Sequence, residues 1–246
     1  MAATVDIPSA GNPWNLVYRL AEAQSDSAWL LAGGLMVDVH AKLAGLESRP
    51  TTDADFLIDI VSECNSATRL QRVLEKEGFQ LQPGTFTSYT TRMVAPENGS
   101  TVDLLVADHL PKNLQRYAKF AGDSNPVLPM PGGAQALQRR MEVVLRDHQR
   151  QVTIFVPNVL GALILKGAAW QNDHLGHQGR HLQDAALLAS IIEDPDREAQ
   201  EHFSRNDRRR LRILHDELPE DSQHWAYLDA DRRQAGIDAL QVLANC

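Results

Sequence analysis

Cysteine is scarce in this 246-residue chain, which contains only Cys64 and Cys246. Two cysteines supply neither a disulfide framework nor the ligand spacing of a zinc site. Long apolar runs are missing too, since none approaches the roughly 20 residues that span a bilayer. The first residues also lack the basic and apolar regions of a secretory signal. These absences predict a cytoplasmic protein without a membrane partner.

Positive charge is also in short supply, because acidic side chains outnumber basic ones and the formal net charge is −8. Such a balance argues against a protein coated with positive charge for nucleic acid. It leaves room for a local basic groove, because binding depends on the charge that faces the phosphates. The length allows one large domain or two small ones.

The most informative stretch of the chain covers residues 29–60. An apolar strand, WLLA at residues 29–32, leads into Gly33 and Gly34, and a helical run follows at residues 35–43. Two glycines between a strand and a helix let the backbone approach a phosphate closely, and the helix N-terminus offers unpaired N–H groups to an anion. Gly33 and Gly34 are therefore predicted to bind a nucleoside triphosphate.

Two acids, Asp53 and Asp55, begin the next strand. Residues two apart in a strand point to the same face, while the other parity holds Phe56 and Ile58 and suits a core. Adjacent carboxylates repel each other unless a cation lies between them, and Mg²⁺ (or Mn²⁺) prefers carboxylates together with substrate phosphates. The pair predicts a metal site beside the triphosphate. The alternative is a half-buried strand with two solvated acids after a plain turn.

The Gly-Gly turn, a helix and the pattern R-x-T-x-D-x-D, in this order, resemble the nucleotidyltransferase superfamily with the DNA-polymerase-β-type fold. The residues that fill the pattern are Arg49, Thr51, Thr52, Asp53 and Asp55. Within the superfamily the chain is most similar to the AbiEii/MenT branch of bacterial toxin-like enzymes. The resemblance implies an α/β (α+β) fold, with a small mixed, twisted sheet flanked by helices. We expect this core at residues 1–130 and a mainly helical C-terminal domain at residues 131–246.

A third acid is implied by the resemblance on a neighbouring strand, and Asp103 in TVDLLVAD fills that place. It would ligate the metal or act as a base near the attacking hydroxyl. The alternative is an exposed acid of an edge strand, and Asp108 is the acid most easily mistaken for Asp103. Arg49 and Thr52 would support the phosphates bound at the Gly-Gly turn.

Lys166 and Asp184 resemble a lysine and an acid that the AbiEii/MenT branch carries on successive helices. Lys166 lies within an otherwise apolar helix, for which Asn158 is a possible N-cap, and Asp184 lies in the next helix. Lys166 would neutralise the triphosphate, and Asp184 would orient it or deprotonate the acceptor. The alternative is a surface lysine together with an ordinary helical ion pair between Asp184 and Arg180.

The rest of the chain predicts helices and strands in alternation, with helices alone after residue 158. Residues 1–13 are expected to form a loose arm, and residues 111–133 a loop-rich stretch that contains a soft boundary. Helices are predicted at 15–23, 66–78 and 230–243, with a short one beginning at 134, and strands at 79–81, 85–94, 101–107 and 152–156.

Two polar clusters have no place in the motif. His174, His177 and His181 favour a solvated loop over a zinc site, because glycines separate them and no cysteine joins them. A basic run in the C-terminal region is either a solvated helix face or a docking patch for RNA or phosphates, and its arginines are Arg205, Arg208, Arg209, Arg210 and Arg212.

These patterns together predict a Mg²⁺-dependent nucleotidyltransferase that moves a nucleoside monophosphate from an NTP to an acceptor hydroxyl and releases pyrophosphate. The resemblance implies tRNA as the acceptor and a toxin whose partner is an antitoxin protein. One alternative is an antibiotic-type enzyme with a small-molecule acceptor, which the acidic net charge favours. The other is a non-catalytic binding protein on the same fold.

Overall fold

The computed structural model describes residues 2–9, 11–24, 28–82, 89–173 and 176–246, and these residues form a mixed α/β structure. The α/β class predicted from the sequence is confirmed. The chain divides into two compact units. Unit 1 contains Met1–Val39 and Pro50–Pro157, and unit 2 contains His40–Arg49 and Asn158–Cys246.

Unit 1 carries the sheets. Its described strands are β1 (Ala3–Asp6), β2 (Trp29–Ala32), β3 (Ala54–Ile58), β4 (Gln80–Leu81), β5 (Arg92–Val94), β6 (Thr101–Ala107), β7 (Pro129–Met130), β8 (Arg140–Arg146) and β9 (Gln151–Pro157). Its described helices are α1 (Trp14–Ala23), the first part of α2 (Gly33–Leu43), α3 (Ser66–Lys76) and α4 (Gly133–Gln138).

The larger sheet has the strand order β2-β3-β6-β5-β4, and β7 also pairs with β6. β3 runs parallel to β6 and antiparallel to β2, while β5 runs antiparallel to β6. Phe56, Leu57 and Ile58 are fully buried, so both faces of β3 are covered along most of its length. Polar groups of β3 are therefore confined to its ends.

The smaller sheet has the order β1-β8-β9 and corrects the expectation of a loose arm at residues 1–13. β1 pairs in parallel with β8, so that Ala3 lies opposite Val143. Local composition could not show this, because the partner strand comes more than a hundred residues later. β8 itself was not predicted. Buried and less buried residues alternate only over a short stretch in its middle, and charged residues lie at both of its ends.

Within the described part of the strand predicted at residues 85–94, β5 begins at Arg92 and Thr90 forms an isolated bridge with Val127. Residues 83–88, which include the predicted turn at Pro83 and Gly84, lie outside the described residues. β2 and β6 have the predicted limits.

Unit 2 is built from helices, as the C-terminal sequence predicts. They are the end of α2, α5 (Val159–Asn172), α6 (Gln178–Ser190), α7 (Pro195–Glu198), α8 (Arg205–Glu217) and α9 (Ala230–Ala244). The predicted N-cap of α5 is confirmed, because the Asn158 Oδ1 accepts the Gly161 N–H at 2.8 Å. α5 packs against α6 and α8, and α9 packs against the same two helices. Among the helices described, none is both long and apolar enough to cross a membrane.

The division between the units lies at Pro157, whereas the sequence placed a boundary near residue 130. β8 and β9 belong with unit 1 because β8 pairs with both β1 and β9. The segment His40–Arg49 belongs with the C-terminal helices instead of with its neighbours in sequence.

The smaller sheet generates a prediction about stability. Leu145 of β8 is fully buried and paired with Val5 and Val152, so Leu145→Ala is expected to lower the free energy of unfolding by about 2–5 kcal/mol. Val144 projects from the opposite face and is half-buried, so Val144→Ala is expected to cost about 1 kcal/mol or less. Urea unfolding of both variants measures the difference. Equal losses would show that β8 does not bury the face described.

Candidate functional site

Four residues lie side by side across the larger sheet where β3 begins. Ala32 pairs with Asp55, Asp55 with Asp103, and Asp103 with Arg92. Paired residues on neighbouring strands, about 4.8 Å apart, project their side chains to the same face. The structure thus brings together Asp55 and Asp103, which the sequence predicted for one site, and adds Arg92 to them.

Arg92 holds Asp103 with two parallel hydrogen bonds. Its Nε donates to Oδ1 at 2.9 Å and its Nη2 donates to Oδ2 at 2.7 Å. The pKa of Arg92 is raised above its usual value, first by this hydrogen bond and then by the charges of Asp103, Asp53 and Asp55, against the opposing effect of burial. All three predicted acids therefore act on one guanidinium.

Asp53 comes just before β3 and is exposed, and its Oδ1 accepts a hydrogen bond from the Thr101 hydroxyl at 2.6 Å. Asp55 is half-buried. The acid group that we call the acid cluster consists of Asp53, Asp55 and Asp103.

The acid cluster fits Mg²⁺ in its chemistry, because carboxylate oxygens are the ligands that this ion prefers. The same acids already attract a cation, the Arg92 guanidinium, which takes both oxygens of Asp103. In the part of the chain that the structure describes, no three His, Cys, Asp or Glu side chains are placed to hold a metal ion together. Metal binding by Asp53, Asp55 and Asp103 therefore stays a prediction.

The two glycines are required by close packing. Gly33 has φ +64°, and a Cβ at that position would lie 1.7 Å from the Asp55 Oδ2. A Cβ on Gly34 would lie 2.7 Å from the Thr51 Oγ1. The Asp55 carboxylate thus lies at the first residue of α2, where the helix dipole favours an anion. This is the position that the sequence assigned to a phosphate.

Two contacts were missed by the sequence interpretation. Thr52, predicted to support phosphate, is exposed, and it is Thr51 that lies against the Gly-Gly turn. A signal for Thr51 was present, since it is the threonine of the R-x-T-x-D-x-D pattern. No local signal marks Arg92, because only the pairing of β5 with β6 brings it to the acid cluster.

The neighbouring acids have structural partners. Asp108 accepts the backbone N–H groups of Gly132 and Ala134, at 2.8 and 3.0 Å, and so fixes the start of α4. Asp59 is buried, accepts the Ser62 hydroxyl at 2.5 Å, and is bound by Arg140 at 3.2 Å. Neither carboxylate is needed to explain the acid cluster.

A second charged group, within unit 2, contains Lys166 and Asp184. The Lys166 Nζ lies 2.8 Å from the Asp184 Oδ2. Arg49 donates from Nε to Oδ1 at 2.8 Å and from Nη2 to Oδ2 at 2.9 Å. Lys166 and Asp184 are only 4% and 2% exposed, so this buried triad replaces the alternative of a surface lysine and an Asp184–Arg180 pair.

Charge compensation keeps the Asp184 carboxylate of the buried triad ionised. Burial by itself raises the pKa of Asp184, but the charge of Lys166 and the hydrogen bonds and charge of Arg49 hold the pKa below its ordinary value. Two cations thus surround one carboxylate, and the triad carries one positive charge in excess. Arg49 was predicted to bind nucleotide, and in the structure its guanidinium binds the Asp184 carboxylate.

His181, predicted to lie on a solvated loop, lies instead within α6, where the charges of the buried triad act on it. Burial, followed by the charge of Lys166, lowers the pKa of His181, so its ring is neutral at pH 7. Its Nε2 lies 3.5 Å from the Asp173 Oδ2. His177 is exposed just before α6, and His174 lies outside the described residues.

Comparisons of the chain with protein-family models, with curated proteins and with solved structures found no match. The acid cluster and the buried triad therefore have to be interpreted from their own chemistry. Each lies within one unit: the acid cluster has three carboxylates with Arg92 beside them, and the buried triad has one carboxylate with Arg49 and Lys166.

The contact between Gly33 and Asp55 is tested by substitution. Gly33→Ala is expected to destabilise the protein by about 1–3 kcal/mol more than Gly45→Ala. Both glycines have positive φ, +64° and +71°, but a Cβ at Gly45 would meet nothing within 4 Å. The two variants share the backbone strain, so their difference isolates the clash with Asp55. Thermal unfolding measures it, and equal melting temperatures would contradict the contact.

The buried triad is tested by Asp184→Asn, which leaves Lys166 and Arg49 without their counter-ion. We expect a loss of about 3–5 kcal/mol in the free energy of unfolding. Asp6→Asn is the matched control, because Asp6 also binds an arginine, Arg146, through two hydrogen bonds but at the surface. Urea unfolding at pH 7 is expected to separate the two variants clearly.

The lowered pKa of Asp184 also predicts a pH dependence of stability. Its carboxylate is easier to ionise in the folded chain than in the unfolded one, where the ordinary value is 3.8. Its contribution is complete above that value and is lost as the pH falls from about 4 through the folded pKa. Asp184→Asn should lack this part of the acid destabilisation in unfolding curves between pH 7 and pH 2.

Proposed function

We propose that this protein is a Mg²⁺-dependent nucleotidyltransferase that transfers a nucleoside monophosphate from an NTP to an acceptor hydroxyl. The observation that carries the proposal is the convergence of Asp53, Asp55 and Asp103 on one cation at the start of β3. A nucleotidyltransferase-like fold is part of the proposal, and the parallel pairing of β3 with β6 supports it. Pyrophosphate is the second product.

Asp53 and Asp55 would hold the metal ion, with Asp103 as a further oxygen ligand. The bound ion would neutralise charge that develops on the triphosphate. Asp103 would position the acceptor hydroxyl and take its proton, which requires that Arg92 give up at least one of its two hydrogen bonds. The Arg92 side chain is 46% exposed, so its guanidinium can exchange Asp103 for water at modest cost.

Gly33 and Gly34 would place backbone N–H groups beside the phosphates. The Asp55 carboxylate already lies at that helix terminus and would repel an incoming phosphate. A cation on the acid cluster removes this repulsion, so nucleotide binding is expected to depend on the metal. Catalysis would then come mostly from positioning and charge neutralisation.

Lys166 would neutralise a phosphate of the nucleotide, and Asp184 would orient the groups that bind it. The excess positive charge of the buried triad supports a role for Lys166 in neutralising phosphate. A carboxylate that two cations hold in its ionised form is a weak base, because its pKa lies far below 7. Asp184 therefore suits the orientation of Lys166 and Arg49 better than proton abstraction.

For the acceptor we favour tRNA, and with it a cytoplasmic toxin whose partner is an antitoxin protein. The alternatives, a small-molecule acceptor and a non-catalytic binding protein, predict different outcomes in the same experiment. Nucleotide binding without labelled RNA indicates a small-molecule acceptor. The absence of both indicates a binding protein.

The test is transfer of label from each α-³²P NTP to total bacterial tRNA in the presence of Mg²⁺. Asp55→Asn is expected to reduce transfer at least about 100-fold, since a metal site contributes several kcal/mol to catalysis. Asp6→Asn removes one surface carboxylate of the same unit and is expected to keep full activity. Full activity in Asp55→Asn would show that the acid cluster is not the metal site.

Thermal unfolding supplies a readout independent of the acceptor. An NTP with Mg²⁺ is expected to raise the melting temperature of the wild type but not of Asp55→Asn. The same NTP with EDTA is expected to raise neither. Stabilisation that persists in EDTA would contradict the metal dependence of nucleotide binding.

A further inference from the structure

One side of α8 carries four exposed arginines, followed one turn later by the exposed Asp216. Its exposed arginines follow one another at helix positions i, i+3, i+4 and i+7, and they are Arg205, Arg208, Arg209 and Arg212. This spacing aligns them along one face, which we call the arginine face. The opposite side of the helix, with Leu211 and Leu214, is buried.

The arginine face is presented by a fixed helix. The Ser204 hydroxyl and the Asp207 carboxylate form a reciprocal capping box at the start of α8. On its buried side, α8 approaches α5 so closely that a Cβ on Gly167 would lie 3.0 Å from the Arg210 Cβ. The four guanidinium groups are therefore carried on a rigid support.

Acidic partners do not account for these arginines. Within the ranges that the structure describes, no carboxylate forms an ion pair with Arg205, Arg208 or Arg209. Arg212 donates from Nε to the Ala244 carbonyl oxygen at 3.2 Å. Asp216, one turn further on, contacts His215 at 3.2 Å.

Helix stability does not account for them either. Like charges three and four residues apart weaken a helix, and Arg205 lies at the N-terminus, where the dipole disfavours a cation. Among the residues described, the arginines lie without paired carboxylates in a chain whose net charge is −8 and in which acidic side chains outnumber basic ones. A ligand with repeated negative charge would offset this cost.

We propose that the arginine face binds the phosphate backbone of an RNA. Arginine binds phosphate through paired hydrogen bonds, and the face contains no lysine. Successive turns of the helix offer a cation about every 5 Å along its axis, which suits a row of phosphates. The choice of RNA over an acidic peptide rests on the proposed function, in which RNA is the acceptor.

The experiment measures binding of fluorescein-labelled bacterial tRNA by anisotropy between 50 and 200 mM KCl. The test variant combines Arg205→Gln, Arg208→Gln and Arg209→Gln and leaves the contact of Arg212 intact. The control variant makes the same change of net charge at three exposed arginines elsewhere, through Arg72→Gln, Arg116→Gln and Arg197→Gln. Circular dichroism checks that both variants remain folded.

The test variant is expected to bind at least about tenfold more weakly, and its plot of log K against log salt should be flatter by about 2, because three phosphate contacts are lost. The control variant is expected to keep the wild-type slope. Equal losses in both variants, or no binding by the wild type, would overturn the proposal. Displacement of tRNA by polyglutamate at equal charge concentration would overturn the choice of RNA.

Failure of this inference is separable from failure of the proposed function. Asp55→Asn is expected to bind tRNA as the wild type does, while its transfer of nucleotide falls at least about 100-fold. If the wild type binds tRNA through the arginine face but transfers no nucleotide, the proposed nucleotidyltransferase activity is wrong and the proposed RNA-binding surface is retained. If the test variant transfers nucleotide to tRNA and binds tRNA with unchanged affinity, the RNA-binding role of the arginine face is wrong and the nucleotidyltransferase activity is retained.

Discussion

The pairing of β3 with β6 sets the main constraint on this protein, because it places Asp55 beside Asp103. Two carboxylates on neighbouring strands need a cation, and Arg92 supplies one. The three carboxylates of the acid cluster, Asp53, Asp55 and Asp103, still exceed the single positive charge of Arg92 by two. The buried triad in unit 2 has the opposite imbalance, since Lys166 and Arg49 share one carboxylate.

Local signals in the sequence located the elements that hold the motif. The apolar run of β2, the limits of β6 and the N-cap at Asn158 follow from short-range chemistry, and the structure has them as predicted. β1 and β8 did not follow, because their pairing joins distant parts of the chain. Arg92 and the partnership of Arg49 with Asp184 were missed for the same reason.

The glycines show how one pattern can support two interpretations. Gly33 and Gly34 suit a phosphate at a helix terminus, and they are also required by the side chains of Asp55 and Thr51. The sequence is compatible with both interpretations, but the short distances from the two glycines to Asp55 and Thr51 are seen only in the structure. A metal ion on Asp55 would reconcile the two, since a carboxylate and a phosphate can share a cation.

The ion pair between Arg49 and Asp184 joins two residues that are synthesised far apart in time. The two residues are 135 positions apart, and Arg49 belongs with helices that are synthesised after β9. During synthesis on the ribosome, the segment His40–Arg49 is made early, and Arg49 has no access to the Asp184 carboxylate until α6 has been synthesised. Unit 1 cannot be cut out as one continuous fragment for the same reason. A chain ending at Pro157 would keep Arg49 and lose both Lys166 and the buried Asp184 that binds the two cations.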